Sequence, residues 1–169
     1  ARPGTRQLAM AGGGALAIMA TPPVDGLAVR AFVTRFGPVL VREALLGERY
    51  RGGQSCYVVP RIEDLAGVKR FLDTEMPETR VAVAHGQMAA GQLEDVMTAF
   101  YEGKFDVLLS TTIVESGLDI PTANTLIVHR ADMFGLAQLY QLRGRVGRSK
   151  ARAYALFTTP ANRNRTGQA

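Results

Sequence analysis

The residues best suited to chemistry in this sequence are three arginines interleaved with two glycines, in the run Q-L-R-G-R-V-G-R at positions 141–148. Glycine lets a backbone approach a ligand closely, and the permanently charged, planar guanidinium group of arginine matches phosphate oxygens. Core packing does not require this pattern. We therefore predict a grip for a phosphate group, where an arginine that reaches a phosphoryl group in transfer contributes about a thousandfold or more in rate. A solvated turn with surface arginines is the alternative.

The positive charge of the chain is concentrated around the same segment. The formal net charge is +5, and Asp132 is the last acidic residue. Seven of the 20 Lys and Arg residues lie beyond Asp132, which leaves 13 basic against 15 acidic residues in the part that ends there. A local basic cluster of this kind favours the phosphate of a nucleotide or of a nucleic-acid backbone. We interpret Arg163 and Arg165 as a solvated tail.

A second polar segment, S-T-T-I-V-E-S-G-L-D-I-P at 110–121, directly follows an apolar run. Its hydroxyl groups and free amides suit a backbone phosphate of a nucleic acid. Asp119, beyond Gly117, is placed to accept a ribose hydroxyl or to orient an arginine. Threonine and aspartate after a strand are also ordinary turn and capping residues. The segment by itself leaves both interpretations open.

Apolar runs that alternate with amphipathic segments predict the elements that carry these residues. Strands are expected at 15–20, 27–36, 55–59, 80–84, 105–109, 125–128 and 154–157, with helices from Pro38, over 62–76, and up to Gly103. In the last helix, residues at helical spacing are expected in the core: Leu93, Val96, Met97, Phe100 and Tyr101.

This alternation predicts an α/β fold, a three-layer domain with a mostly parallel central sheet and helices on both faces. Function in such sheets gathers at the carboxyl ends of the strands. The segments that follow strands are 85–88, 110–121 and 130 onward. We therefore expect the site at that edge.

Composition and missing motifs exclude several function classes. The 169 residues, 47% of them hydrophobic, suit one domain with a substantial core. No apolar run reaches the roughly 18 residues of a membrane helix and no signal peptide is recognisable, so we expect a soluble, cytoplasmic chain without membrane partners. The single cysteine, Cys56, is expected to be a buried, inert thiol. His85 and His129 lack partners at metal-ligand spacing, so no metal site is predicted.

The sequence also lacks a G-x-x-x-x-G-K-[S/T] phosphate loop and an adjacent acidic pair of the Walker B kind. Without them a triphosphate and its magnesium ion have no cradle. We expect that the isolated chain does not hydrolyse ATP. The irregular, Gly- and Arg-rich start without a methionine suggests a piece of a larger protein.

The segments 110–121 and 141–148 resemble motifs V and VI of superfamily 2 helicases, in that order and at a suitable separation. Both motifs belong to the second RecA-like domain of those enzymes. The resemblance implies that Arg145 and Arg148 are arginine fingers for ATP with Mg²⁺, held mainly by a first RecA-like domain that this sequence does not contain. By the same resemblance Gly117, Asp119 and Gly144 lie on the nucleotide side.

The resemblance also implies a set of contacts with nucleic acid. Thr111 and Thr112 of motif V would face the DNA backbone. H-G-Q-M at 85–88 looks like the motif IVa loop, which implies binding by His85, Gly86 and Gln87. Arg61, after the predicted strand 55–59, resembles the motif IV region.

Within superfamily 2, the amino-acid sequences of three segments resemble those of transcription-repair coupling factors: G-L-A-Q-L at 135–139, D-I-P-T-A-N-T at 119–125, and H-G-Q-M at 85–88. This implies an ATP-driven translocase on double-stranded DNA, with RNA polymerase and excision-repair proteins bound by other domains of the parent protein. RecG-type branch-migration helicases share 135–139 and motif VI and are an alternative. A non-catalytic RecA-like module that binds nucleic acid or a protein partner is another.

The resemblance divides the chain into three parts. Residues 1–36 form an irregular start with the first strands, whose opening resembles the tail of motif III. The helicase C-terminal RecA-like domain occupies 37–160. Residues 161–169 form a basic tail.

Overall fold

A computed structural model of the chain describes residues 17–19, 29–111, 119–147 and 152–161. Within these ranges the strands are β1 (Ala17–Met19), β2 (Val29–Arg35), β3 (Gln54–Val58), β4 (Val81–Ala84), β5 (Val107–Ser110), β6 (Ala123–Val128) and β7 (Ala153–Thr159). The α-helices are α1 (Pro38–Tyr50), α2 (Leu65–Glu75), α3 (Ala90–Tyr101) and α4 (Leu136–Arg143). Short 3₁₀ turns at Ile62–Asp64 and Ala131–Met133 precede α2 and α4.

The strands form one sheet in the order β1-β2-β7-β6-β3-β5-β4. All neighbouring pairs from β2 to β4 are parallel, and only β1 pairs antiparallel, on β2 at one edge. The central strands β5 and β6 are buried along their whole length, which is why their sequences are nearly continuous apolar runs. The predicted α/β fold with a mostly parallel sheet is confirmed.

The helices cover both faces of the sheet. Val41 and Leu45 of α1 and Leu72 of α2 pack with Tyr57 and Ile127 on one face. On the other face the buried cluster takes in residues of α3 and α4, with Met97, Phe100 and Leu142 packed against strand residues that include Cys56. The predicted burial of Cys56 is confirmed, since the residue is 1% exposed.

The predicted elements correspond to the observed ones with small shifts at their ends. Pro38 lies in the first turn of α1 as predicted, where its missing N–H is not needed. The predicted helix over 62–76 is a 3₁₀ turn followed by α2. Helix α4 was not predicted, because it is short and its apolar residues are spread around its circumference.

One residue that was expected in the core lies outside it. Tyr101 is 42% exposed, because it is the last residue of α3 and its hydroxyl group reaches beyond the sheet to the backbone of Asp119. Its neighbours at helical spacing, Met97 and Phe100, are buried as predicted. Across the described ranges, the helices are all too short or too polar to span a lipid bilayer.

Candidate nucleotide and nucleic-acid interface

The candidate site residues lie at two opposite edges of the sheet. Arg61, the turn at 85–88 and Thr111 follow β3, β4 and β5, and so lie at the carboxyl edge. Asp119 and Arg145 lie instead at the amino edge. There Ile120 forms a parallel bridge with Val146, ahead of β6 and β7.

Our expectation that the whole site gathers at the carboxyl edge is therefore wrong for Asp119 and Arg145. The physical reason is strand direction. Since β6 runs parallel to β5, the chain must return to the amino edge before β6 begins, and Asp119 lies at the end of that return.

At the amino edge Asp119 and Arg145 form an ion pair. A guanidinium nitrogen of Arg145 lies 3.2 Å from Oδ1 of Asp119, with the two side chains 32% and 50% exposed. The backbones are joined as well, because the amide of Ile120 donates to the carbonyl of Arg145 at 2.8 Å. The sequence predicts that Asp119 accepts a ribose hydroxyl or orients an arginine. The structure contains the contact with an arginine that the second role requires.

The hydroxyl group of Tyr101, at the end of α3, contacts the backbone of this pair. It donates a hydrogen bond to the backbone carbonyl of Asp119 at 3.1 Å. Sequence reasoning missed Tyr101, because its helical spacing placed it with the core residues Met97 and Phe100. The signal that could have identified it is a phenol at the last position of an amphipathic helix, where a polar tip reaches past the core.

The two glycines of the arginine segment have different environments. Gly147 is buried with a φ of 76°, and a Cβ added there would lie 2.4 Å from the Cβ of Ala153 on β7. Gly144 caps α4 with an ordinary φ of −73°, and an added Cβ would meet only the carbonyl oxygens of Tyr140 and Gln141, both at 3.5 Å. The fold thus requires glycine at 147 and does not require it at 144.

The three arginines of the segment are not equivalent either. Arg143 is only 7% exposed and belongs to the last turn of α4, with its guanidinium carbon 4.5 Å from the ring centroid of Tyr140. Its Nη1 is buried without a hydrogen-bond partner in the described part of the chain, and burial lowers its pKa. The phosphate grip stays a prediction, and within it Arg143 is buried whereas Arg145 is partly exposed. Arg148 lies outside the described residues, as do Gly117 and Thr112.

At the carboxyl edge, residues 85–88 form a turn that is held by its own hydrogen bonds. The amide of Gln87 donates to Nδ1 of His85 at 3.2 Å, and the amide of Met88 donates to the His85 carbonyl at 3.2 Å. Because Nδ1 accepts, the ring proton of a neutral His85 is on Nε2, which is then a donor for an outside group. Gly86 and Gln87 are exposed at the tip of the turn.

Arg61 and Thr111 are less available to an outside group, Arg61 because it is paired and Thr111 because it is buried. The exposed guanidinium of Arg61 is paired with Asp64 through contacts of 3.2 and 3.0 Å, and it also reaches Glu63 at 3.2 Å. Thr111 is buried, and its Oγ1 has no hydrogen-bond partner among the described residues. Binding of a phosphate by Arg61 would exchange one partner for another, and binding by Thr111 would need the hydroxyl to become accessible.

Comparison with known proteins identifies the family. A family model of the helicase conserved C-terminal domain matches residues 38–150, well over half of the chain. The chain belongs to that family.

This helicase C-terminal domain is similar to several transcription-repair-coupling factors. It is 52% identical over 164 residues to the one from Rickettsia bellii, which covers 97% of this chain and 15% of that protein. It is 51% identical over 158 residues to the one from Escherichia coli, which covers 94% of this chain and 14% of that protein. The chain therefore spans only about a seventh of the length of either relative.

Among solved structures, RecG bound to a three-way DNA junction has the same fold. It superposes with a TM-score of 0.65 at 34% identity, over 80% of this chain and 18% of the RecG chain. The predicted resemblance of the helicase C-terminal domain to superfamily 2 helicases, and within them to the coupling factors, is confirmed.

His129 has a structural environment in this helicase C-terminal domain. It follows β6, its Nδ1 lies 3.1 Å from the Tyr57 hydroxyl oxygen, and its ring packs edge-on against Phe36. Burial lowers its pKa. Within the described ranges, His, Cys, Asp and Glu side chains form no group of three or more that could hold a metal ion.

Proposed function

We propose that this chain is the C-terminal RecA-like motor domain of an ATP-dependent double-stranded DNA translocase that acts in transcription-coupled DNA repair. The observation that carries the proposal is the partly exposed Arg145, held in place by Asp119 at one edge of the sheet beside Gly144. The identity of about one half to transcription-repair-coupling factors over nearly the whole chain supports it.

On the nucleotide side, Arg145 and Arg148 act as arginine fingers. ATP with Mg²⁺ is held mainly by the first RecA-like domain of the parent protein and supplies the phosphoryl group. Asp119 fixes the direction of the Arg145 guanidinium, and Gly144 leaves room for close approach because no side chain covers its Cα. Gly117 completes the nucleotide side by its place in motif V. The residues present fit a phosphate because a guanidinium that is oriented beforehand loses little entropy on binding.

On the nucleic-acid side, the turn of His85, Gly86 and Gln87 contacts the backbone of double-stranded DNA. Nε2 of His85 and the side-chain amide of the exposed Gln87 are suitable donors for phosphate oxygens. Thr111 and Arg61 lie at the same edge of the sheet. Thr112 joins these contacts by its place in motif V. Contacts with phosphate groups do not depend on the DNA sequence, and a translocase must bind DNA of any sequence.

Other domains of the parent protein bind RNA polymerase and excision-repair proteins, and the parent acts in the cytoplasm. The isolated chain does not hydrolyse ATP, because the sequence has no phosphate loop and no Walker B pair.

The test is DNA-stimulated ATP hydrolysis by the longer protein that joins this chain to its phosphate-loop domain. Arg145→Ala and Arg148→Ala are each expected to lower turnover by about a thousandfold while nucleotide binding persists. Arg70→Ala, which removes an exposed arginine of α2 on the opposite face of the sheet from α4, is the control and retains turnover. Unchanged turnover in both finger variants would refute the motor role and favour a non-catalytic binding module.

A RecG-type branch-migration helicase is the second candidate, favoured by the 34% identity to RecG. The two are separated by substrate. Displacement of a stalled RNA polymerase from DNA by the longer protein supports the coupling-factor role. Unwinding of a three-way junction without polymerase displacement supports the RecG-type role.

A further inference from the structure

Helix α3 runs between the two edges of the sheet and ends beside the ion pair of Asp119 and Arg145. It begins directly after the turn at 85–88 and ends with Tyr101 beside Asp119. Its 12 residues span about 18 Å, which is comparable to the length of the strands it covers. Met97 and Phe100 are buried against the sheet, so the helix axis has little freedom.

The last turn of α3 is anchored on the sheet by Gln54, the first residue of β3. The side-chain amide of Gln54 donates to the carbonyls of Phe100 at 2.7 Å and Phe105 at 2.8 Å. Its oxygen accepts from the hydroxyl of Thr122, just before β6, at 2.5 Å. The Gln54 side chain is therefore hydrogen-bonded both to the end of α3 and to Thr122, the residue before β6.

From this anchored position Tyr101 donates its hydroxyl proton to the Asp119 carbonyl. A phenol is protonated at neutral pH, and partial burial and the neighbouring Cys56 and Asp119 raise the pKa of Tyr101 further above its usual value. Asp119 in turn contacts Arg145 by its carboxylate, and the next amide, of Ile120, donates a hydrogen bond to the Arg145 carbonyl.

We propose that Tyr101 is a positioning residue for the arginine finger, whose hydroxyl group fixes the backbone of Asp119 and, through the carboxylate, the direction of the Arg145 guanidinium. The inference rests on the proposed function, in which Arg145 faces the terminal phosphate of ATP. A residue of this kind changes how often the finger is correctly placed. It does not change how tightly the first domain holds the nucleotide.

The experiment compares Tyr101→Phe with Tyr50→Phe in the longer protein at saturating DNA. Tyr50 is the matched control, since it is also an exposed tyrosine at the last position of a helix. Tyr101→Phe is expected to lower kcat about threefold to tenfold, as loss of one hydrogen bond predicts. KM for ATP and the Tm of the protein stay unchanged, and Tyr50→Phe leaves all three unchanged. 4-Aminophenylalanine at position 101, which restores a donor at the para position, is expected to recover most of the lost kcat.

Arg145→Ala, measured in the same assay, distinguishes failure of the positioning role of Tyr101 from failure of the proposed function. If Arg145→Ala loses turnover and Tyr101→Phe matches Tyr50→Phe, the positioning role is overturned and the finger role stands. A loss of kcat in Tyr101→Phe that follows a lower Tm, without recovery by 4-aminophenylalanine, overturns it too, because it marks a structural role. If Arg145→Ala keeps full turnover, Arg145 is not a finger and the positioning role falls with it; if Arg148→Ala keeps full turnover as well, the proposed function itself fails.

Discussion

Replacement of Gly147 by alanine tests why motif VI carries a glycine there. Gly147 has a φ of 76°, and an added Cβ would lie 2.4 Å from the Cβ of Ala153. The left-handed backbone costs an alanine about 1–2 kcal/mol, and overpacking against β7 adds about 1–3 kcal/mol. Reduced freedom of the unfolded chain offsets about 0.4–1 kcal/mol. We expect the free energy of unfolding to fall by about 1–5 kcal/mol.

Two other glycines separate the contributions. Gly103 has a similar φ of 83°, and a Cβ there meets nothing within 4 Å, so Gly103→Ala measures backbone strain without the clash. Gly67 is helical and open, so Gly67→Ala carries neither term and is expected to be neutral or to stabilise by up to about 1 kcal/mol.

The assay is urea unfolding of the purified chain, followed by circular dichroism. The double variant Gly147→Ala with Ala153→Gly removes the clash and keeps the strain, so it is expected to recover about half of the loss, beyond the effect of Ala153→Gly alone. If Gly147→Ala is no more destabilising than Gly103→Ala, the close approach to β7 does not constrain the segment and the reasoning is refuted.

Three further predictions concern single sites. Gly144→Ala is expected to leave the free energy of unfolding within about 0.5 kcal/mol of the native value. It is also expected to lower DNA-stimulated turnover in the longer protein. Unchanged turnover would show that Gly144 does not contribute to nucleotide binding. Burial raises the pKa of the Cys56 thiol to about 12, so at pH 8 the folded chain is expected to react with Ellman's reagent far more slowly than the urea-unfolded control, and equal rates would contradict its burial. Burial lowers the pKa of His129, so the unfolded chain binds more protons below its usual pKa of about 6.5, and stability is expected to decline as the pH falls from neutral through that value. Measured at several pH values, the free energy of unfolding should decline less on acidification in His129→Gln than in the native chain. A native chain that becomes more stable as the pH falls would contradict the prediction.

The fold could be predicted from the sequence because each level of pattern indicates the same architecture. Runs such as 105–109 and 125–128 are apolar enough to be buried on both faces, and the segments between them have helical periodicity. Helix α4 escaped prediction because eight residues with apolar side chains on all sides carry no periodic signal. Tertiary packing alone defines it.

The residue types of the candidate site stay a prediction from the sequence, whereas the positions of these residues in the fold could be predicted only in part. The forked chemistry of arginine is a local property, so the sequence predicts a phosphate grip at 141–148, and it predicts Asp119 as a partner for a ribose hydroxyl or an arginine. The place of Asp119 and Arg145 at the amino edge depends on the direction of β6 relative to β5, which is a pairing between distant segments. The support from Tyr101 and the burial of Arg143 likewise depend on contacts that no local pattern contains.

The way Arg145 is held bears on how the proposed finger works. Its backbone is bonded on both sides, since its amide donates to the Leu142 carbonyl at 3.1 Å and its own carbonyl accepts from Ile120. One residue later Val146 is buried in the bridge to Ile120, and Gly147 donates to the first residue of β6. The backbone that carries the finger is therefore set by the sheet before any nucleotide arrives. Since a preorganised charge needs little rearrangement during reaction, changes that loosen this backbone are expected to lower turnover more than nucleotide affinity.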